Sequence, residues 1–393
     1  MIPAMATQVG PDVRAVGERP DAPAQSGRAE LRWAAWRLVA LFLVARLLVV
    51  GCAMAVEGLA PVDATGPGGS TLQATTRPLL ASLTSWDAVY YLDIASDGYR
   101  AGPVNGPYPD VVFFPLYPVA VGATATLLGG DIALSGVLVA NLAGLAALGA
   151  VYLLARRRLE RDGAFLATTL VALGPGAVAF SMAYSDSLFL LLVAGSLLAA
   201  ERDARPLSGA LACLAALTRL QGALLILPLL VLFWQRDGRR PRASWLWALG
   251  APAGLAMVCL AIGRVTGDVL TPIREQGIWD FGGVPSAVAE PWVVVVAALA
   301  YGATSIVTLK LLFDRWRARR DPSGVGWGAA NVLAILATRR VASIPRYLAP
   351  VTQAAEQLVG GAYRPAVVRA VLAVSAGSYV VLAILHFSLK LAP

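Results

Sequence analysis

The sequence predicts an all-α, polytopic integral membrane protein, and three observations carry that prediction. The chain of 393 residues is 58% hydrophobic and only 14% charged, whereas a soluble domain carries about 25% charge. Apolar runs close to the ~20 residues needed to cross hydrocarbon recur along its length. Backbone amides in lipid must be satisfied inside the segment, which leaves helices as the spanning element. The Arg residues gather in short clusters between these runs: Arg156-Arg157-Arg158 with Arg161, Arg202 with Arg205, Arg236 with Arg239, Arg240 and Arg242, and Arg315-Trp316-Arg317 with Arg319 and Arg320. The positive-inside rule places all four clusters in the cytoplasm. The net charge of +8 therefore reports topology, and no nucleic-acid partner is expected.

Residues 1–31, rich in Pro, Gly, Ala and charge, read as a disordered cytoplasmic tail, and 32–393 as the transmembrane domain. The first apolar run, Ala34 to Val56, starts too far in and is too long for a cleaved leader. With the N-terminus inside, about 11 spans are expected, over roughly 34–56, 132–155, 164–182, 187–200, 207–217, 222–234, 244–262, 291–313, 324–338, 347–359 and 366–389. The segment 57–131 then stays outside, so the apolar stretch Phe113 to Leu128 is an interfacial helix and not a crossing. The short spans 207–217 and 222–234 must hairpin outside at Thr218-Arg219-Leu220-Gln221-Gly222, because one continuous helix would turn the Arg236 cluster outward. A second long outer loop runs from Gly263 to Glu290.

Three cysteines, Cys52, Cys213 and Cys259, lie in apolar segments without metal-ligand spacing and read as packing residues. His386 is the only histidine, which excludes a His-based triad and a His-rich metal site. Under this topology five polar or aromatic clusters fall on the outer side: Trp86 to Tyr99, Phe113 to Pro118, Tyr184 to Ser187, Thr218 to Gly222, and Arg339 to Tyr347. A carboxylate at membrane depth costs roughly 2.5–3.5 kcal/mol, so Asp87 is the first candidate for a functional group. On a helix Asp87 and Tyr91 share one face, while Trp86, Tyr90, Asp93 and Asp97 share another. That favours a single base over a two-carboxylate arrangement.

Trp86, Tyr90 and Tyr91 also fit an aromatic belt, and Asp93 and Asp97 a solvated face or a cap. Asp186 fits either an N-cap or a site role. Arg219, Arg339, Arg340 and Arg346 lie outside, against the positive-inside trend. They read as phosphate ligands, since a guanidinium fork grips phosphate oxygens in pairs, or as contacts to outer-leaflet headgroups. Arg37 and Arg46, inside the first span, read as snorkelling or paired structural charges.

Trp86-Asp87-Ala88-Val89-Tyr90-Tyr91-Leu92-Asp93-Ile94-Ala95 with Gly98-Tyr99, Phe113-Phe114-Pro115-Leu116-Tyr117-Pro118, Tyr184-Ser185-Asp186-Ser187-Leu188-Phe189, Thr218-Arg219-Leu220-Gln221-Gly222 and Arg346-Tyr347 together resemble the phosphatidylinositol-glycan class V mannosyltransferases, as a bacterial-type member. The motifs appear in that family's order over about 34–350, with Asp186 where the family tends to have Glu and Gln221 where it tends to have Asn. The resemblance implies a GT-C glycosyltransferase in the plasma membrane, working on the extracytoplasmic face. It would move mannose from a polyprenyl-phosphate-mannose donor to a hydroxyl of a glycolipid, protein or natural product, by inverting displacement. Asp87 is then the base. Trp86, Tyr91, Asp93, Tyr117, Asp186, Arg219, Gln221, Arg346 and Tyr347 are the expected substrate contacts, with no cofactor and no metal. The alternative of a lipid-linked-sugar flippase predicts polar sites near the bilayer midplane, whereas here the polar clusters gather at one interface.

Overall fold

The computed structural model describes residues 24–59, 78–100, 110–238, 240–278, 291–318, 321–337, 344–361 and 363–388. Residues 1–23 of the expected tail, Arg239, Arg319, Arg320, Arg339 and Arg340 lie outside them. Every described regular element is helical: α1 (Ala24–Leu59), α2 (Pro78–Leu83), α3 (Asp87–Asp97), α4 (Leu116–Leu127), α5 (Ile132–Ala155), α6 (Arg161–Ala172), α7 (Asp186–Glu201), α8 (Arg205–Thr218), α9 (Ile226–Arg236), α10 (Gly250–Thr266), α11 (Thr271–Arg274), α12 (Pro291–Arg317), α13 (Pro322–Ala337), α14 (Ile344–Leu348), α15 (Thr352–Gly360) and α16 (Pro365–Phe387), with short 3₁₀ turns between some of them. Among the described residues four stretches are long and apolar enough to cross a membrane alone: Arg32–Gly58, Ile132–Ala155, Ala243–Thr266 and Pro365–Phe387.

Local chemistry sets the boundaries. α5 starts where the Asp131 carboxylate caps the backbone N–H of Leu134 at 2.9 Å. α10 stops at Gly267, left-handed with φ 78°. Three expected spans are shaped differently. The 164–182 span ends at Ala172, because Gly174-Pro175-Gly176 cannot continue a helix, and the chain proceeds through a 3₁₀ turn, Ala177–Phe180. The 347–359 span is divided at Pro350 into α14 and α15. α1 begins at Ala24, ahead of the expected start, and Glu30 on that extension accepts from Arg156 Nε at 2.6 Å. The hairpin after α8 forms where expected, with Arg219 in an extended conformation and the 3₁₀ turn Leu220–Leu225 leading into α9. Gly222 packs so tightly on the backbone of Ala215 and Ala216 that a Cβ there would collide with it.

α5 and α7 pack together at the centre. Gly136, Ala140, Ala143, Gly144 and Ala147 form a buried small-residue stripe on α5, the close-approach device of helices that lack a hydrophobic drive to associate in lipid. Arg46 crosses this interface at Gly144. It donates to Asn141 Oδ1 at 2.5 Å and to the Phe180 carbonyl at 2.8 Å, so it turns inward onto neutral acceptors and does not snorkel.

Ion pairs join the four basic clusters at one end of the bundle. Arg158 bonds Glu201 and reaches Asp321 at 3.4 Å and Glu356 at 3.5 Å; Arg315 holds the same two carboxylates at 2.7 and 3.0 Å. Arg205 binds Asp237 at 2.8 Å, and Arg236 lies 3.9 Å from Asp203. The opposite ends of α7 and α8 carry Asp186 and Thr218. At 1.5 Å rise per residue, α7 separates its two ends by about 24 Å. α4 is roughly 18 Å long, and it reverses into α5 at Gly129 and Gly130, both with positive φ. The interfacial placement expected for this segment is open to a labelling test. Cysteines in place of the exposed Leu128 and of Arg157 should label from opposite sides of the membrane, with Arg242→Cys on the Arg157 side. Labelling of Leu128→Cys and Arg157→Cys from one side would refute this topology.

Between α1 and α4, α3 buries Asp93 and the 3₁₀ turn Asp110–Val112 buries Asp110; each leaves one carboxylate oxygen, Asp93 Oδ2 and Asp110 Oδ1, without a hydrogen-bond partner among the described residues. Burial, reinforced by the Asp110 and Asp97 charges against the opposing pull of Arg100, raises the Asp93 carboxyl to about 6. Burial also raises that of Asp110. An unfolded Asp titrates near 3.9, so between about pH 4 and 6 the folded chain holds the extra proton and stability falls as pH rises. Asp93→Asn should raise the melting temperature at pH 7–8 and flatten its decline over that window. An unchanged thermal profile would show that Asp93 is solvated.

Candidate active site

The site is built outward from the turn between α2 and α3. Ser85 Oγ bonds the Ser82 carbonyl at 2.9 Å, and the Ser85 carbonyl accepts from Tyr184 OH at 3.2 Å. Trp86 follows with φ 58°, in the left-handed region that bulky side chains avoid. Strain of this kind persists where the surroundings over-determine it. Here it turns the chain so that Asp87 opens α3 facing the interior, while the Trp86 indole swings away to lie 6.3 Å from the His386 ring.

One helical turn on, Tyr91 OH shares a 2.7 Å hydrogen bond with Ser185 Oγ. Its ring meets Phe113 and Tyr117 edge-on at 5.0 and 5.2 Å. Tyr90 stacks on Phe113 at 4.7 Å, Tyr99 OH donates to the Phe113 carbonyl at 2.6 Å, and Tyr117 OH donates to the Gly136 carbonyl at 2.8 Å. The Phe113-Phe114-Pro115 segment is thus a fixed wall between α3 and α5.

Four charges alternate in sign beneath this wall. Arg346 Nη1 donates to Asp87 Oδ2 at 2.5 Å, Arg346 Nε donates to Asp186 Oδ1 at 2.7 Å, and Arg219 Nη1 bonds that same Asp186 oxygen. The Arg346 guanidinium lies over the Tyr184 ring at 4.6 Å and that of Arg219 over Tyr347 at 4.8 Å. Arg346 Nη2 and Asp186 Oδ2 have no hydrogen-bond partner among the described residues.

A cavity of about 270 Å³ opens against this network. Asp87, Tyr91, Thr218, Arg219, Gln221, Gln276 and Tyr347 supply its polar wall, and Val112, Phe113, Phe114 and Leu255 are among its apolar residues. The Asp87 side chain is 23% exposed, those of Arg219, Arg346 and Asp186 only 8%, 3% and 2%. Asp87 and Arg219 therefore face the cavity, while Asp186 and Arg346 stand behind them. An acid oxygen able to take a proton and a cation able to hold an anion meet in one partly apolar chamber.

Of the expected substrate contacts, Tyr91, Arg219, Gln221 and Tyr347 line the cavity together with Asp87. Tyr117 is fully buried behind Tyr91. Trp86 and Asp93 are not brought to the cavity: the strained turn carries Trp86 toward His386, and Asp93 lies two residues beyond Tyr91, about 200° around the helix. Gln276 was not distinguishable in the sequence. It sits in the turn Glu275–Ile278 after α11, outside any motif, and reaches the cavity because its Nε2 donates to the Val112 carbonyl at 3.0 Å. No group of three or more His, Cys, Asp or Glu side chains with metal-binding geometry occurs among the described residues.

Comparison with known proteins came to the following. The family model for dolichyl-phosphate-mannose-protein mannosyltransferases matches residues 115–262. No curated protein sequence matches the chain. Among solved structures, the oligosaccharyltransferase AglB of Archaeoglobus fulgidus, in complex with an inhibitory peptide and a dolichol-phosphate, aligns at TM-score 0.50 and 13% identity over 91% of this chain and 56% of that one. The same archaeal enzyme with zinc and sulfate aligns at TM-score 0.49 and 16% identity over 90% and 53%. ArnT from Cupriavidus metallidurans, bound to undecaprenyl phosphate, aligns at TM-score 0.48 and 16% identity over 93% and 77%. The chain thus spans little more than half the length of the archaeal chains. At these identities the likeness is one of fold alone: the chain shares the all-helical architecture of the archaeal oligosaccharyltransferase AglB.

Proposed function

We propose that this chain is a membrane glycosyltransferase of the phosphatidylinositol-glycan class V type, moving mannose from a polyprenyl-phosphate carrier to an acceptor hydroxyl on the extracytoplasmic face of the plasma membrane. The observation that carries the reading is the placement of the Asp87 carboxylate and the Arg219 guanidinium on the wall of one cavity, linked through Arg346 and Asp186. The acceptor oxygen attacks the anomeric carbon and its proton passes to Asp87. The bond between that carbon and the phosphate oxygen breaks, with inversion, and the polyprenyl phosphate leaves with its new negative charge facing Arg219. General-base action and a preorganised cation at the developing charge both lower the barrier to this displacement.

The family model and the ordered motifs support the donor class. The position of the cavity at the end of α7 and α8 opposite the basic clusters supports the extracytoplasmic face. Arg346 stands behind the cavity wall and Arg219 lines it, so Arg219 is the phosphate ligand. The acceptor is a glycolipid, a protein or a natural product, and membranes incubated with radiolabelled polyprenyl-phosphate mannose would label it. No transfer of label to any acceptor, with labelled lipid crossing the bilayer instead, would replace this reading with that of a flippase.

Asp87→Asn should keep donor binding and the fold while lowering turnover by about 10²–10⁴-fold; a wild-type rate would remove Asp87 from the mechanism. Arg219→Lys keeps the charge but loses the fork. It should weaken donor binding, and Arg219→Ala should weaken it further.

A further inference from the structure

Asp186 is 2% exposed and forms no part of the cavity wall, so it cannot act on substrate directly. Its Oδ1 nevertheless receives both arginines, from Arg219 Nη1 and from Arg346 Nε at 2.7 Å, and Arg346 passes on to Asp87 at 2.5 Å. We propose that Asp186 is a positioning residue that sets the phosphate-binding and base halves of the site at once, an inference that rests on the glycosyl-transfer reading.

Charge balance is the first reason. Two guanidiniums and two carboxylates form one linked network in which Asp186, Arg219 and Arg346 are almost wholly buried, and with Asp186 present Asp87 engages one arginine through one oxygen. Without Asp186, Asp87 is the only carboxylate left in this network. Arg219 is then drawn onto it, which covers the oxygen that must take the acceptor proton and removes the cation from its place opposite the leaving phosphate.

Anchorage is the second reason. Asp186 is the first residue of α7, a 16-residue helix at the centre of the bundle. The N-terminal dipole of α7 favours the ionised carboxylate, and the neighbouring Ser185 is tied to Tyr91 of α3 at 2.7 Å. Arg346 stands on α14, which has only five residues, and Arg219 in an extended link between helices. The aspartate is the fixed point and the arginines are the adjustable parts.

The test measures two quantities on the purified full-length protein in detergent: the dissociation constant for undecaprenyl phosphate, and kcat for transfer from polyprenyl-phosphate mannose. Asp186→Ala should weaken undecaprenyl phosphate binding by about 10–100-fold and lower kcat by about 10²-fold, the cost of a misplacement near 1 Å. Asp186→Glu, which keeps the charge on the same helix end, should recover most of both. On an Arg219→Ala background Asp186→Ala should weaken binding no further, and on an Asp87→Asn background it should lower kcat little further, because residues acting through one another are not additive.

Wild-type binding and turnover in Asp186→Ala, or losses that simply add in the double variants, would overturn the proposal. Should Asp186→Ala not give folded, monodisperse protein, the isosteric Asp186→Asn takes its place in the same cycles with the same outcomes. A wild-type protein that fails to bind undecaprenyl phosphate would refute the glycosyl-transfer reading itself. That result is distinct from normal wild-type binding without coupling at Asp186.

Discussion

The alternating chain of Asp87, Arg346, Asp186 and Arg219 is the constraint on which the site depends. Isolated, each of these groups would be costly away from water, since a buried charge is tolerated only when it is paired and hydrogen-bonded. Linked in series they neutralise one another. The network therefore needs four separate segments to arrive together: the start of α3, the start of α7, the extended link after α8, and α14. Much of the surrounding architecture can be understood as what brings those four ends to one place.

The helices that deliver these groups are not the four that cross hydrocarbon by length and composition. α7 has 16 residues, α8 has 14, and α3 and α4, of 11 and 12 residues, lie between α1 and α5. Short helices inside a bundle are freed from matching the full bilayer thickness, because neighbouring protein covers them. Their ends can then open onto a chamber within the bundle. Gly222 is what lets the chain reverse after α8, bringing Thr218, Arg219 and Gln221 to the cavity wall. The same helices end, on the other side, in the Glu201 and Asp203 region where the basic clusters are pinned by Arg158 and Arg205. One set of helices thus fixes both the topology and the chamber.

Aromatic packing gives the outer segment its rigidity. Tyr90, Tyr91 and Tyr117 enclose Phe113 and its neighbours, with the hydroxyls of Tyr91, Tyr99 and Tyr117 all hydrogen-bonded. An interfacial aromatic belt would leave those rings facing headgroups. Here they form an interior wall, and α3 holds Asp87 on a rigid support. Asp93 and Asp110, buried in the same segment, each keep one oxygen without a hydrogen-bond partner among the described residues.

Composition and pattern were enough, by themselves, to establish the apolar, all-helical class, the boundaries of most long helices and the reversal at Thr218 to Gly222. Those features follow from local rules: hydrocarbon demands apolar helices of a given length, basic residues mark one side, and Gly and Pro end helices. The face of α3 was also legible, since a 3.6-residue period puts Asp87 and Tyr91 together and Asp93 elsewhere. What only the tertiary structure decided is who pairs with whom. Nothing local to Asp186 says that it holds two arginines, one of them 160 residues away. Nothing in the segment around Gln276 says that it reaches the cavity, and the strained Trp86 turn that sends its ring toward His386 has no sequence signature. Pairing of charges across a fold depends on which helix ends converge. Hydrophobic periodicity, which records only whether a side chain faces lipid or protein, does not encode that convergence.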